Sequence, residues 1–195
     1  MPAHPEPVEG PRDSAQGFDK LSPNGAGALA IVVMGVSGCG KSTVGTRLAQ
    51  QIGATFLDAD DFHPPANVER MRAGIALTDA ERGPWLDALA ARLAAAGAAG
   101  EAVVLACSAL KRSYRDALRG GAPALTLVHL TGSPALLAER ITARPGHYMP
   151  PTLLPSQLAT LEPPGAVEHA ITLDVAAATN DLVISILAAI RKHLP

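Results

Sequence analysis

Three groups of side chains in this sequence have the types and spacing to move a phosphoryl group. The first is Gly35-Val36-Ser37-Gly38-Cys39-Gly40-Lys41-Ser42, followed by Thr43. It fits the phosphate-loop pattern Gly-x-x-x-x-Gly-Lys-Ser. Glycines let successive backbone N–H groups turn inward onto phosphate oxygens. The helix expected to begin near Lys41 adds its positive N-terminal end. Lys41 can reach the β- and γ-phosphates of a nucleoside triphosphate, and the Ser42 hydroxyl can ligate Mg²⁺. The pattern does not name the acceptor.

The second group is acidic. Phosphate-loop proteins need a carboxylate near the metal, and the apolar run "VVLACSAL" ends without one. "LDADDFH" supplies Asp58, Asp60 and Asp61. If the strand persists, Asp58 and Asp60 point the same way. Asp60 is assigned to the γ-phosphate region, either holding a metal-bound water or taking the acceptor's proton. Asp58 is assigned to structure or to substrate hydroxyls.

The third group is cationic. Arg140 and Arg144 stand at i and i+4, so they share a helix face. Their helix breaks at Pro145-Gly146 and a second short helix follows. This is the outline of a lid over about residues 133–165, able to close arginines over the migrating charge in a water-poor site. Lys111, Arg112 and Arg115 open another helix. Cations are unfavourable at a helix N-terminus, which points to an anionic partner. His63 and His147 are pocket candidates, and neither belongs to a metal-ligand cluster.

The elements that must hold these groups follow from periodicity. "ALAIVVMG" is a short β-rich apolar run, as expected of a strand buried on both faces. "KSTVGTRLAQQIG" carries Val44, Leu48 and Ile52 on one helical face. "TDAERGPWLDALAARLAAAG" opens with a capping box, Thr78 to Glu81, and places Trp85, Leu89 and Leu93 in a packing stripe reaching about Ala96. Ser133 at N-cap and Pro134 at N1 start another helix. Further strands are read in "ATFLDAD", "EAVVLACSAL", "ALTLVHLTG" and "AITLDV". The β-α alternation predicts an α/β fold, a five-stranded parallel sheet with helices on both faces. Ligands then sit at the carboxyl ends of the strands.

Composition narrows the rest. With 48% hydrophobic and 17% charged residues in 195, the chain reads as a globular domain with a full core. A net charge of −2 gives no global field for nucleic acid or a membrane surface. No apolar run approaches the roughly 20 residues of a membrane span. Two cysteines, Cys39 and Cys107, make no disulfide framework and suit a reduced, cytoplasmic setting. Residues 1–27, rich in Pro, Gly and charge, read as a disordered leader ahead of one domain over 28–195.

Taken together, "MGVSGCGKSTVG", "FLDADDFHPPANVERMRAGIALTDAERGPWL", "ACSALKRSYRDALR", "VHLTGSPALLAERITARPGHYM" and "LLPSQLATLEPP" resemble the gluconate kinases of the phosphate-loop type. The resemblance covers about Ile31 to Gly165. It implies a fold like that of shikimate and nucleoside monophosphate kinases, transfer of phosphate from ATP to the 6-hydroxyl of D-gluconate, Mg²⁺, and a homodimer. It carries Asp58, Asp60, His63, Arg70, Lys111 and His147 to the sugar-acid side and matches Arg140 and Arg144 to the lid arginines. Ala59 stands where that family often has glycine, and Tyr148 where it usually has phenylalanine. Two other readings use the same loop: a kinase for shikimate or a nucleoside monophosphate, and a nucleotide-binding regulatory protein, which would lack the lid and the acceptor residues.

Overall fold

A computed structural model describes residues 29–143 and 151–193. The leader, Arg144, His147 and Tyr148 lie outside the described residues.

Strand β1 (Ala30–Met34) runs into the glycine-rich loop and helix α1 (Lys41–Ile52). β2 (Thr55–Asp58) follows, then a single 3₁₀ turn (Ala59–Phe62), α2 (Pro65–Arg72) and α3 (Asp79–Ala98). Next come β3 (Val103–Ala106), α4 (Arg112–Gly121), β4 (Thr126–Thr131) and α5 (Pro134–Thr142). The chain ends with α6 (Leu154–Thr160), β5 (Ile171–Asp174) and α7 (Thr179–His193). The five strands are parallel in the order β2-β3-β1-β4-β5. This is the expected α/β sheet. Its switch point lies at β1, the strand that feeds the loop, and such points open the crevice where ligands bind.

Alternation along β1 divides the core. Ile31 and Val33 pack on one face with Val44 and Leu48 of α1 and Leu182, Ile186 and Ile190 of α7. Val32 and Met34 pack on the other with Trp85, Leu89 and Leu93 of α3 and Tyr114 and Leu118 of α4. These four of the five β1 side chains are fully buried, which explains an apolar run without polar alternation. Cys39 lies in the first cluster and Cys107 in the second; both are free and buried. Burial pushes the Cys107 thiol up to about 12, so it is an inert packing group.

Two local expectations need correction. The second strand does not persist to Asp60. It ends at Asp58, whose carboxylate accepts the Asp60 N–H at 3.1 Å and turns the chain into the 3₁₀ segment. Short acidic side chains compete with strand pairing in this way. Trp85 then fixes the turn by donating Nε1–H to Ala59 O at 2.7 Å.

The basic start of α4 does not present all its cations to a ligand. Arg115 is fully buried and pairs with Glu168 through Nε–Oε1 at 2.7 Å and Nη2–Oε2 at 2.8 Å. The same guanidinium donates to the carbonyls of Ala109, Leu110 and Glu162. Arg115 therefore ties the loop after α6 to the end of β3. This pairing holds the Glu168 carboxyl down at about 2. Arg112 meets Asp116 on its own helix at 3.6 Å.

Candidate active site

The phosphate loop curls because its glycines adopt conformations closed to other residues. Gly35 has φ +143°, and a Cβ there would meet Leu130 O at 2.5 Å. Gly38 has φ +82°, and its Cβ would meet Leu137 O at 2.7 Å. The curl is held by Gly35 N–H donating to Ser108 O and Cys39 N–H to Val36 O. Lys41 Nζ donates to Val36 O at 3.1 Å. Ser42 Oγ donates to Asp58 Oδ2 at 2.7 Å. Ser37 N–H donates to Gln157 Oε1 of α6 at 2.7 Å.

A cavity of about 390 Å³ opens on this loop. Ser37 to Thr43 line it, with Asp58, Asp60 and Arg140. Gly35 and Val36 do not line it. The far wall comes from Val175, Ala177, Thr179 and Leu182, around the β5–α7 connection. Arg140 is braced there by donating Nη2–H to Val175 O at 2.8 Å. Nothing in the motif pointed to this wall, because its residues are ordinary.

A second cavity of about 180 Å³ adjoins the first. Asp60, Ser108 and Gln157 line both. His63 and Lys111 stand on its wall, and so do Asp79, Arg82, Trp85, Ser156 and Thr160. Arg70 does not line it. That side chain turns to Glu81 at 3.0 Å, the same acid that closes the α3 capping box.

Charge in the second cavity is already paired. Asp79 accepts from Lys111 Nζ at 2.7 and 2.9 Å and from the Tyr114 hydroxyl, and Arg82 stands 3.9 Å away. The Lys111 bond holds the Asp79 carboxyl below its usual range, and Asp79 in return raises Lys111. His63 stacks on Trp85 with ring centroids 4.3 Å apart. Burial, and secondarily Arg82, lower its pKa to about 4. Its Nδ1 is buried and has no hydrogen-bond partner among the described residues. Buried polar atoms are nearly always satisfied in a working state, so a neutral imidazole with an unused nitrogen suits a ligand hydroxyl.

The donors around Ser42 also fit Mg²⁺. That ion takes hard oxygens, commonly one or two from protein and the rest from phosphates and water. Ser42 and Asp58 offer such oxygens within one hydrogen bond of each other, and Asp60 shares their cavity.

With this geometry in place, comparison with known proteins is decisive. A family model described as an AAA domain matches residues 31–164. A gluconokinase from Gluconobacter oxydans is 54% identical over 141 residues, 72% of this chain and 79% of that protein. The chain belongs to the gluconokinase family. A gluconokinase structure from Sinorhizobium meliloti is 48% identical with a TM-score of 0.76, covering 84% of this chain and 92% of that one. An unliganded sugar kinase structure from a Janibacter species is 43% identical with a TM-score of 0.81, covering 84% and 95%. The family match spans the loop, the acidic turn and α6, and stops before the β5–α7 wall of the first cavity.

Proposed function

We propose that this kinase transfers the γ-phosphoryl group of ATP to the 6-hydroxyl of D-gluconate, giving 6-phosphogluconate and ADP. One observation carries the reading: a phosphate-loop cavity and a smaller polar cavity share the wall formed by Asp60, Ser108 and Gln157. A nucleotide in the first and a polyol acid in the second meet at that wall.

The loop N–H groups from Ser37 to Thr43 and Lys41 hold the phosphates. Lys41 leaves Val36 O for the β- and γ-phosphates, a move of one flexible side chain. Val175, Ala177, Thr179 and Leu182 take the base end. Ser42 and Asp58 would hold Mg²⁺, which would supply charge neutralisation to the phosphates. The hydrogen bond from Ser42 to Asp58 supports the metal side for Asp58, where the sequence favours Asp60. Asp60, which reaches both cavities, takes the proton of the 6-hydroxyl as the O6–P bond forms and the bond from the γ-phosphorus to ADP breaks. Arg140 stabilises the charge on the migrating group; Arg144 as a lid arginine and His147 on the sugar-acid side belong to the same proposal. Lys111 and Arg82 turn from Asp79 to receive the sugar carboxylate, while His63 meets a hydroxyl. The homodimer is part of this proposal, and sedimentation would report its mass.

Steady-state assays with D-gluconate, shikimate and a nucleoside monophosphate test the assignment. A site built to hydrogen-bond its acceptor should favour gluconate in kcat/KM by at least about 10²-fold. Preference for shikimate or a nucleotide would overturn the acceptor assignment. ATP hydrolysis indifferent to every acceptor would overturn the kinase reading.

A further inference from the structure

One bond in the phosphate loop has no counterpart in the chemistry above. Ser37 N–H meets Gln157 Oε1 at 2.7 Å across 120 positions of sequence. A backbone N–H only donates, so the atom facing it is the carboxamide oxygen. Inward-facing N–H groups of such loops take phosphate oxygens. Here a side-chain oxygen from α6 occupies that role. Lys41 is held in the same manner by a carbonyl of the loop itself.

Gln157 is firmly placed. Leu154, one turn earlier on α6, is buried in the α1–α7 side of the core, and Leu158 packs against it. Ser156 Oγ donates to Leu153 O, and Leu161 N–H to Gln157 O. Gln157 also lines the acceptor cavity. The carboxamide therefore lines both cavities and accepts the Ser37 N–H of the phosphate loop.

We propose that Gln157 is a positioning residue that couples the two sites. This rests on the two-cavity reading above. The carboxamide oxygen is a neutral stand-in for a phosphate oxygen. A phosphate forms the stronger, charge-assisted bond, so an arriving nucleotide takes the Ser37 N–H and displaces it. The displaced carboxamide turns to the acceptor cavity, where it can both donate to and accept from the hydroxyls of the sugar acid. Nucleotide and sugar acid then bind with positive cooperativity, each favouring the Gln157 position that the other needs.

Calorimetric titration with a non-hydrolysable ATP analogue and Mg²⁺ tests this, on the wild type, Gln157→Leu and Gln157→Glu. Leucine keeps the bulk and removes the competing oxygen. Without sugar acid it should bind the analogue about 3- to 10-fold more tightly, the worth of one ordinary hydrogen bond. Glutamate places an anion in the phosphate position and should bind it more weakly than wild type. With gluconate added, the gain in analogue affinity seen in wild type should fall toward none in Gln157→Leu, and KM for gluconate should rise. Unchanged or weaker analogue binding by Gln157→Leu, or an undiminished gain from gluconate, would overturn the proposal. Should the leucine variant lose its cooperative melting, Gln157→Asn, a carboxamide one methylene too short, is read by the same criteria. The first titration contains no gluconate, so its outcome is independent of the acceptor assignment.

Discussion

The two cavities are built from different materials. The phosphate end of the nucleotide cavity is one continuous stretch, Ser37 to Thr43, which includes a lysine and a serine. The acceptor cavity is an assembly of side chains from the acidic turn, α3, the start of α4 and α6. Backbone N–H groups recognise a phosphate whatever carries it. Side chains on separate elements recognise a particular arrangement of carboxylate and hydroxyls. On the proposed assignment the first cavity is general, the second is selective, and Asp60 stands on the wall they share.

Asp60→Asn breaks that shared wall. As a general base Asp60 should account for about 10³-fold in kcat, with melting temperature and nucleotide affinity near wild type. A loss of thermal stability alone would make Asp60 structural. Lys41→Met strikes the nucleotide side and should lower kcat by about 10²-fold or more, as for loss of a preorganised charge. Near-normal turnover would remove Lys41 from the chemistry. Lys111→Met strikes the selective side. It should raise KM for gluconate about 10-fold, the low end for a hydrogen bond to a charged group, and leave KM for ATP unchanged. A matching rise for ATP would show that the cavities are not separately built.

The smallest effect concerns pH. Free histidine protonates near 6.5, whereas His63 resists protonation down to about 4. Between these values the unfolded chain binds more protons at this position, so stability falls as pH drops through that window. His63→Phe keeps a ring against Trp85 and removes the titration. Its melting temperature should decline less than that of wild type between pH 6.5 and 4. Parallel declines would show that His63 is protonated in the fold at its ordinary pKa.

The same contrast explains what the sequence revealed. A contiguous motif is legible because its spacing is its geometry: Gly35, Lys41 and Ser42 stand as the pattern requires. Periodicity likewise gave β1, α1, the Thr78–Glu81 cap and the Ser133 start of α5, all of which depend on neighbours a few residues apart. The acceptor wall depends on tertiary proximity, which spacing does not record. Asp79 and Arg82 lie in a segment read only as a helix start, and Trp85 was read only as packing, although it both holds the acidic turn and stacks on His63. Gln157 sat in a short helix with no periodic signal of function. The partner of Arg115 is hidden from spacing for the same reason: its acid, Glu168, is 53 positions away. Its charge asked for an anion, and the fold supplies one.

The most direct test follows the phosphorus atom. The enzyme is supplied with Mg²⁺, D-gluconate and ATP labelled at the γ-phosphorus, and the products are separated. Direct transfer across the Asp60 wall predicts label in 6-phosphogluconate, matched by ADP released and absent when gluconate is omitted. Label collecting in inorganic phosphate at the same rate with or without gluconate would contradict it.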